Sequence, residues 1–368
     1  MRASPTQNGW LIHAALILAN SIFGLGSIVG ALGISNDTNP LAFTFVREIC
    51  SGGILWCLSA LFSNSNQKSL PELSNWPRFW KLGFLLFLNQ AGYILGIVLA
   101  GPVAGSIWQP SAPIITVVIS MIGGLEPWNA RRVVGVMVAF GGCAAMVVFN
   151  NQGDDAPHGR NLNVWIGNGM LLMDCIAAAF YILSSKPVLV NYSALTVTAW
   201  SYILASLFMF GAILFAASVP AIGAFICPSC RQQESCLPTT TMPLSALIYY
   251  ILLQSVAAWG MIIWANQFAT ATLVVGYSVT QPMSAVLFAC LFLASQWVKP
   301  CHHNSDGSCL DEPEFGALCG MAGVTVGLVL VVQSEPQDPA STQQEVDDIK
   351  KHSFTTADYG SLNANVDI

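Results

Sequence analysis

Two short polar segments that share Ser, a branched aliphatic residue, Gln and Pro at corresponding positions lie inside long apolar runs of this chain. Ser106–Pro110 (Ser-Ile-Trp-Gln-Pro) returns as Ser278–Pro282 (Ser-Val-Thr-Gln-Pro), 172 residues later because 278 minus 106 is 172. Each copy carries one hydrogen-bonding amide, Gln109 or Gln281, followed by a proline that has no N–H for the helix ladder. An amide beside a weakened helix, at one place in each of two repeats, is typical of solute sites in membrane transporters.

Three ionisable side chains also fall within apolar runs. Arg47 and Glu48 lie in the second run, and Asp174 lies near the middle of the sixth. Charged groups at that depth face protein or water and are functional candidates by default. We expect these three residues to couple transport to an ion, with Asp174 or Glu48 exchanging a proton.

Structural roles for the same charges remain open. Arg47 can reach the outer headgroups while Glu48 joins a local polar network. Asp174 can be held ionised by a cation such as Arg47, which would make it structural, or exist partly protonated, which would make it a proton carrier.

The remaining polar residues of the apolar runs are amides, hydroxyls and aromatic rings. Such a lining suits a neutral, zwitterionic or aromatic solute better than a phosphorylated one, which would need several basic groups. The predicted substrate-binding residues are Asn20, Gln90, Trp108, Gln109, Tyr202, Trp264, Tyr277 and Gln281. The predicted helix breaks are Pro110, Pro113 and Pro282.

Composition determines the elements that carry these residues. The chain is 54% apolar and 9% charged, which excludes an ordinary soluble domain. Windows of about nineteen residues give an all-α membrane protein with ten spans of about twenty residues. These spans begin near Trp10, Pro40, Leu82, Val103, Val133, Val164, Ala194, Leu244, Ala271 and Phe315.

The spans divide into two repeats. Residues 1–150 form the first five-helix repeat, 151–163 an outer linker and 164–332 the second repeat. Aligning Trp10 with Trp165 brings Asn20 within one residue of Asp174. Glycines in the fifth and tenth spans predict either close helix packing or a homodimer surface. The acidic residues 333–368 predict a disordered cytoplasmic tail.

Lysine and arginine placement indicates that both termini are cytoplasmic. The formal net charge is −6, and no basic surface for nucleic acid is present in the sequence. Five of the 11 cysteines fall in two predicted outer loops, where disulfides are expected, with an outer zinc site as the less favoured use. These disulfide candidates are Cys227, Cys230, Cys236, Cys301 and Cys309.

These features together resemble a known family. The ten spans, the duplicated Gln-Pro element, Asn39-Pro40-Leu41-Ala42-Phe43 before Arg47 and the Gly-rich fifth and tenth spans are similar to EamA-type transporters of the drug/metabolite transporter superfamily. Ala194-Leu195-Thr196-Val197-Thr198-Ala199-Trp200 is similar to the plant nodulin-like, Walls-Are-Thin type. Cysteines between the seventh and eighth spans are also similar to those of chloroquine-resistance-type vacuolar transporters.

The resemblance implies two inverted five-helix repeats and alternating access, often driven by a proton gradient. It also implies an amino acid, metabolite or hormone-like solute. We expect no cofactor and no enzymatic activity, because no metal-ligand pair or Ser/His/Asp set lies in the spans at a usable spacing. We expect the protein to lie in the plasma membrane or in an endomembrane such as that of a vacuole or lysosome. A nucleotide-sugar or sugar-phosphate antiporter, and a non-transporting receptor or scaffold, are the alternatives.

Overall fold

Ten helical segments make up most of the computed structural model. It describes residues 9–33, 39–62, 70–100, 108–109, 111–124, 129–150, 162–219, 244–296, 299–300, 309–310 and 315–334. The helices are α1 (Gly9–Gly33), α2 (Pro40–Phe62), α3 (Trp76–Ala100), α4 (Ser111–Ile122), α5 (Ala130–Asn150), α6 (Leu162–Leu189), α7 (Ala194–Ser218), α8 (Leu244–Ala265), α9 (Ala271–Ala294) and α10 (Phe315–Gln333).

Each predicted span contains one of these helices. Among the described residues, α1, α2, α6, α7, α8 and α9 are long and apolar enough to cross a membrane, whereas α4 and the apolar part of α10 are shorter. The all-helical prediction is confirmed for these elements, apart from one pair of two-residue strands, β1 (Lys299–Pro300) and β2 (Cys309–Leu310). The full count of ten spans stays a prediction.

Two helices differ from the expected pattern. α3 begins at Trp76, six residues before the predicted Leu82, so its first turn includes Arg78 outside the apolar run. α8 is wound as a π-helix over Tyr250–Ala258, an uncommon form that is frequent at functional sites. Hydropathy follows apolar content and does not detect either feature.

Polar side chains fix several helix starts. Asn39 Oδ1 accepts hydrogen bonds from the backbone N–H groups of Leu41 and Ala42 at 3.0 and 3.2 Å. Pro40 occupies the first helical position, where its missing N–H costs little. The Asn-Pro-Leu-Ala motif is therefore the start of α2. By fixing where the helix begins, it helps to set the direction in which Arg47 points, about two turns later.

Helix contacts cross between the two predicted repeats. α1 packs on α8 and α9, α2 on α7 and α8, α3 on α6 and α7, α4 on α6 and α9, and α5 on α10. Large apolar side chains such as Phe210, Leu214, Phe215 and Leu252 remain exposed on the outside. Small and polar residues lie within, which is the arrangement expected when lipid surrounds the bundle.

Glycines allow α5 and α10 to touch within one chain. A Cβ built on Gly142 would lie 2.5 Å from the backbone nitrogen of Val324, and one on Gly135 would lie 2.9 Å from the carbonyl oxygen of Gly327. These glycines therefore allow α5 and α10 to pack closely, as predicted. A homodimer stays a prediction and would have to use the outer faces of these helices, where Gly141 lies.

We expect Gly142→Ala to destabilise the protein and its neighbour Gly141→Ala to leave it unchanged or slightly more stable. The added methyl group at Gly142 would overlap α10, whereas nothing lies within 4 Å of a Cβ at Gly141. Overpacking of this kind costs about 1–3 kcal/mol, and alanine is the better helix former where space exists. Thermal unfolding of the two purified variants in detergent measures the difference. Equal midpoints would contradict the packing described here.

Candidate functional site

Arg47 lies in the interior of the helical bundle. Its side chain is 9% exposed, and one of its terminal nitrogens donates to Gln90 Oε1 on α3. The guanidinium lies 6.0 Å from the ring centroid of Tyr250, which is within cation–π range. Its Nε–H is buried and has no hydrogen-bond partner. The alternative that Arg47 reaches the outer headgroups is therefore wrong.

Glu48 is fully buried on the same helix. Neither carboxyl oxygen has a hydrogen-bond partner, so the alternative that Glu48 joins a local polar network is also wrong. Tyr202 on α7 is fully buried and lies within electrostatic range of Glu48 and Arg47. Successive helical residues point about 100° apart, which explains why Arg47 bonds to α3 while Glu48 does not.

Asp174 is held by two neutral amides. It is 1% exposed; its Oδ1 accepts from Asn89 Nδ2, and its Oδ2 accepts from Gln109 Nε2 at 3.1 Å. Gly92 lets α3 approach α6 closely, since a Cβ there would lie 3.2 Å from the backbone nitrogen of Asp174. The alternative in which Arg47 pairs with Asp174 is wrong, because Arg47 bonds to Gln90.

Asn20 and Gln281 form a matching pair on the other side of the repeat. Gln281 Nε2 donates to Asn20 Oδ1 at 2.9 Å, and Asn20 Nδ2 donates to the Leu16 carbonyl at 2.7 Å. Gln109 and Gln281, the two predicted repeat equivalents, thus bond to Asp174 and Asn20, which the predicted repeat alignment places within one residue of each other. One partner is a carboxylate, and the other is an amide.

Further hydrogen bonds follow both helix pairs. Along α1 and α9, His13 Nδ1 lies 2.7 Å from the hydroxyl of Tyr277, and the Ser21 and Ser284 hydroxyls lie 3.2 Å apart. Next to α6, Trp108 Nε1 donates to Asn168 Oδ1 at 2.8 Å. The predicted residues Trp108 and Tyr277 therefore lie beside the two amide-centred pairs.

The structure brings most of the predicted site residues together, but not all. Trp264 packs edge-on against Phe268, with ring centroids 5.4 Å apart, and no described hydrogen bond links it to the other site residues. Asn89, Asn168 and His13 bond to predicted site residues but were not among them. For Asn89 a signal existed, since it directly precedes Gln90 inside an apolar run.

The predicted helix breaks have different outcomes. α9 tightens into a 3₁₀ turn over Tyr277–Val279, immediately before the segment that contains Pro282, and Ser278 Oγ is buried there without a partner. Pro113 does not break a helix, because it lies in the first turn of α4, where its missing N–H is tolerated. Pro110 lies outside the described residues.

The cysteine predictions fall on segments that the structure does not describe. Cys227, Cys230, Cys236 and Cys301 lie outside the described residues, and for Cys309 only the backbone in β2 is described. The disulfides and the outer zinc site therefore stay predictions, as does the disordered tail at 333–368, nearly all of which lies outside.

Residues 10–148 match the EamA-like transporter family. This matched segment contains Asn20, Arg47, Glu48, Gln90 and Gln109. Each hydrogen-bonded pair described above has at least one member within it. The match supports a multi-pass integral membrane protein. It does not reach Asp174 or Gln281, and it does not distinguish the plant nodulin-like subgroup.

A solved structure titled "Crystal structure of protein" is similar to the whole bundle. The TM-score is 0.62, and the alignment covers 87% of this chain and 94% of that chain at 14% sequence identity. At that identity the likeness shows the fold alone. It nevertheless extends the architecture beyond the EamA-like segment, over most of the second half.

We expect Asp174→Leu to destabilise the protein markedly more than Asp174→Asn. Leucine leaves the half-buried Asn89 and Gln109 amides without an acceptor, at up to about 1–3 kcal/mol for each unsatisfied group. Asparagine retains one acceptor, and Gln109 can rotate its amide to offer oxygen to the new NH₂ group. Thermal unfolding in detergent compares the two variants. Equal losses would mean that the amides do not depend on Asp174.

Proposed function

We propose that the chain is a secondary active transporter of a small neutral, zwitterionic or aromatic organic solute. The solute binds near mid-membrane between two inverted five-helix repeats, residues 1–150 and 164–332, and crosses by alternating access. The observation that carries this proposal is the reciprocal pairing of Gln109 with Asp174 and Gln281 with Asn20 across the two halves.

The pattern of helix packing supports the repeat. If α1 to α5 are matched in order with α6 to α10, the contact of α1 with α9 becomes that of α6 with α4. The contacts of α3 with α6 and α7 likewise become those of α8 with α1 and α2. Five spans per repeat is an odd number, so the second repeat enters the membrane from the opposite side to the first. A structure of this kind can open to one side or the other by equivalent movements.

The proposed binding residues lie where such a movement would separate the halves. Asn20, Trp108, Gln109, Tyr277 and Gln281 all belong to the α1–α9 and α4–α6 contacts. Neutral amides and aromatic groups predominate there, and Arg47 is the only arginine or lysine among the described site residues. One guanidinium is too little to balance a nucleotide sugar or sugar phosphate, which argues against the antiporter alternative.

Glu48 is the group that we propose to exchange a proton with water during the cycle. Asp174 has a hydrogen-bond donor for each oxygen, which stabilises a carboxylate, whereas Glu48 has none for either. A buried carboxylate without donors or a bonded cation is costly, so Glu48 is neutral when buried and loses its proton when the site opens to water.

The proposed carrier lies in the plasma membrane or an endomembrane with both termini in the cytoplasm. The excess of lysine and arginine in alternate loops supports this orientation. No enzymatic role is proposed.

Transport in proteoliposomes tests the proposed function. A thermal-shift screen of a metabolite library first selects a stabilising solute, and uptake of that solute is then measured with and without a pH gradient. We expect protein-dependent uptake that a pH gradient increases several-fold. If liposomes that contain the purified protein take up no stabilising solute, with or without the gradient, the transporter proposal is wrong. That result would favour the receptor or scaffold alternative.

Glu48→Gln is expected to retain exchange of solute between the two sides and to lose the increase caused by the pH gradient. Glutamine fills the same volume but cannot release a proton. Glu72→Gln, the same change at an exposed loop residue, serves as the matched control and should behave as wild type. A Glu48→Gln variant that still responds fully to the gradient would exclude Glu48 as the proton carrier.

A further inference from the structure

We propose that Tyr250 is a positioning residue that links the Arg47 guanidinium to helix α1. The tyrosine lies on α8, in the second half of the chain, whereas Arg47 and α1 belong to the first half. This role rests on the proposed transport function, in which the α1–α9 contact opens. Through Tyr250, the charged interior and the position of α1 would depend on each other.

Tyr250 makes three described contacts with the first half. The centroid of its ring lies 6.0 Å from Cζ of Arg47, which is within cation–π range. Its hydroxyl donates to the Gly26 carbonyl oxygen on α1 at 2.8 Å. The ring also packs edge-on against Phe43 on α2, with centroids 5.5 Å apart, and this contact fixes its orientation. One side chain thus joins α8 to both α1 and α2.

The buried charge of Arg47 depends on this ring. The side chain is 9% exposed, a terminal nitrogen donates to the Gln90 amide, and the Nε–H has no hydrogen-bond partner. The face of Tyr250 therefore supplies a second favourable contact to the cation. A cation that has lost its water gains more from an aromatic face than an exposed cation does. Tyr250 thereby helps to fix where the guanidinium lies.

The π-helical part of α8 determines how Tyr250 is presented. It begins at Tyr250 and ends at Ala258. Its fifth residue, Gln254, also lies against α1, because a Cβ built on Gly26 would lie 2.7 Å from Gln254 Nε2. A π-helix is wound more widely than an α-helix, so a return to α winding would rotate the start of α8 relative to its end. The uncommon winding therefore sets the direction in which Tyr250 points.

The same stretch of α1 continues to the α9 contact. A Cβ built on Gly24 would lie 2.5 Å from the Gln281 carbonyl oxygen, so the two helix backbones touch there. About one turn earlier, the Ser21 and Ser284 hydroxyls lie 3.2 Å apart. A helix transmits a displacement over two turns because it is a rigid element. Loss of the Tyr250 hydrogen bond to Gly26 should therefore loosen the α1–α9 contact.

Tyr249 provides a matched comparison. Its hydroxyl donates to the Ile22 carbonyl oxygen on α1 at 2.7 Å, so it also ties α8 to α1. Among the described contacts, Tyr249 has none with Arg47. Both tyrosines hold the helix, and Tyr250 alone of the two connects that hold to the charge.

Labelling of one introduced cysteine measures opening of the α1–α9 contact without any solute. The probe is N-ethylmaleimide, and the reporter is Ser284→Cys in purified full-length protein whose native cysteines are replaced. We expect Tyr250→Phe and Arg47→Gln each to speed labelling by about threefold or more, because each removes one contact of the link. Arg47→Lys keeps a cation beside the ring and should restore most of the slow labelling.

Combined variants separate this link from a general loosening of the bundle. In the Tyr250→Phe background, Arg47→Gln should add little, because the tie to α1 is already lost. In the Tyr249→Phe background, Arg47→Gln should speed labelling as much as it does in the reporter protein alone. Thermal midpoints report whether each variant is folded.

Two results would overturn the link: unchanged labelling in Tyr250→Phe, or an Arg47→Gln effect of equal size in both tyrosine backgrounds. Uptake in proteoliposomes decides the proposed function separately. If uptake persists while the two effects simply add, the link is wrong and the transporter assignment stands. If the predicted labelling is found and no solute is transported, the link stands and the transport function is wrong.

Discussion

The structure depends on how three ionisable side chains are accommodated inside apolar helices. Arg47, Glu48 and Asp174 are each at least nine-tenths buried, and among the described residues none of them forms an ion pair with another. Instead, Arg47 donates one hydrogen bond to an amide on α3, and Asp174 accepts one from an amide on α3 and one from an amide beside α4. Neither oxygen of Glu48 has a hydrogen-bond partner. Amides stabilise a charge without cancelling it, so the charges remain available to a solute or a proton.

The proposed repeat accounts for the positions of two of these polar contacts. The same glutamine serves both halves, but Gln281 bonds to the neutral Asn20, whereas Gln109 bonds to the charged Asp174. The α1–α9 contact is thus an uncharged version of the α4–α6 contact. In the proposed two-repeat arrangement the bundle has two similar ways to open, and the single carboxylate would give the two contacts different energies when a solute or proton binds. The glycine contacts between α5 and α10 hold a part of the bundle that contains none of these groups.

Local patterns predicted much of this arrangement. The Gln-Pro repeat identified Gln109 and Gln281, and the alignment of Trp10 with Trp165 matched Asn20 with Asp174. Side-chain partners were harder to predict, because they depend on helix rotation and not on depth. Arg47 and Asp174, for example, bond to the consecutive amides Gln90 and Asn89 on α3 and not to each other. The π-helical turn in α8 and the early start of α3 also leave no trace in hydropathy, since both are determined by contacts between helices.

The central claim is that the two halves separate at the α1–α9 contact during transport, and a reversible cross-link tests it most directly. The hydroxyls of Ser21 and Ser284 lie 3.2 Å apart, so cysteines there can form a disulfide. In a background whose native cysteines are replaced and which still transports, oxidised Ser21→Cys/Ser284→Cys protein should lose uptake and regain it on reduction. The single variants should be insensitive to oxidant. Full uptake by the cross-linked protein would contradict the account.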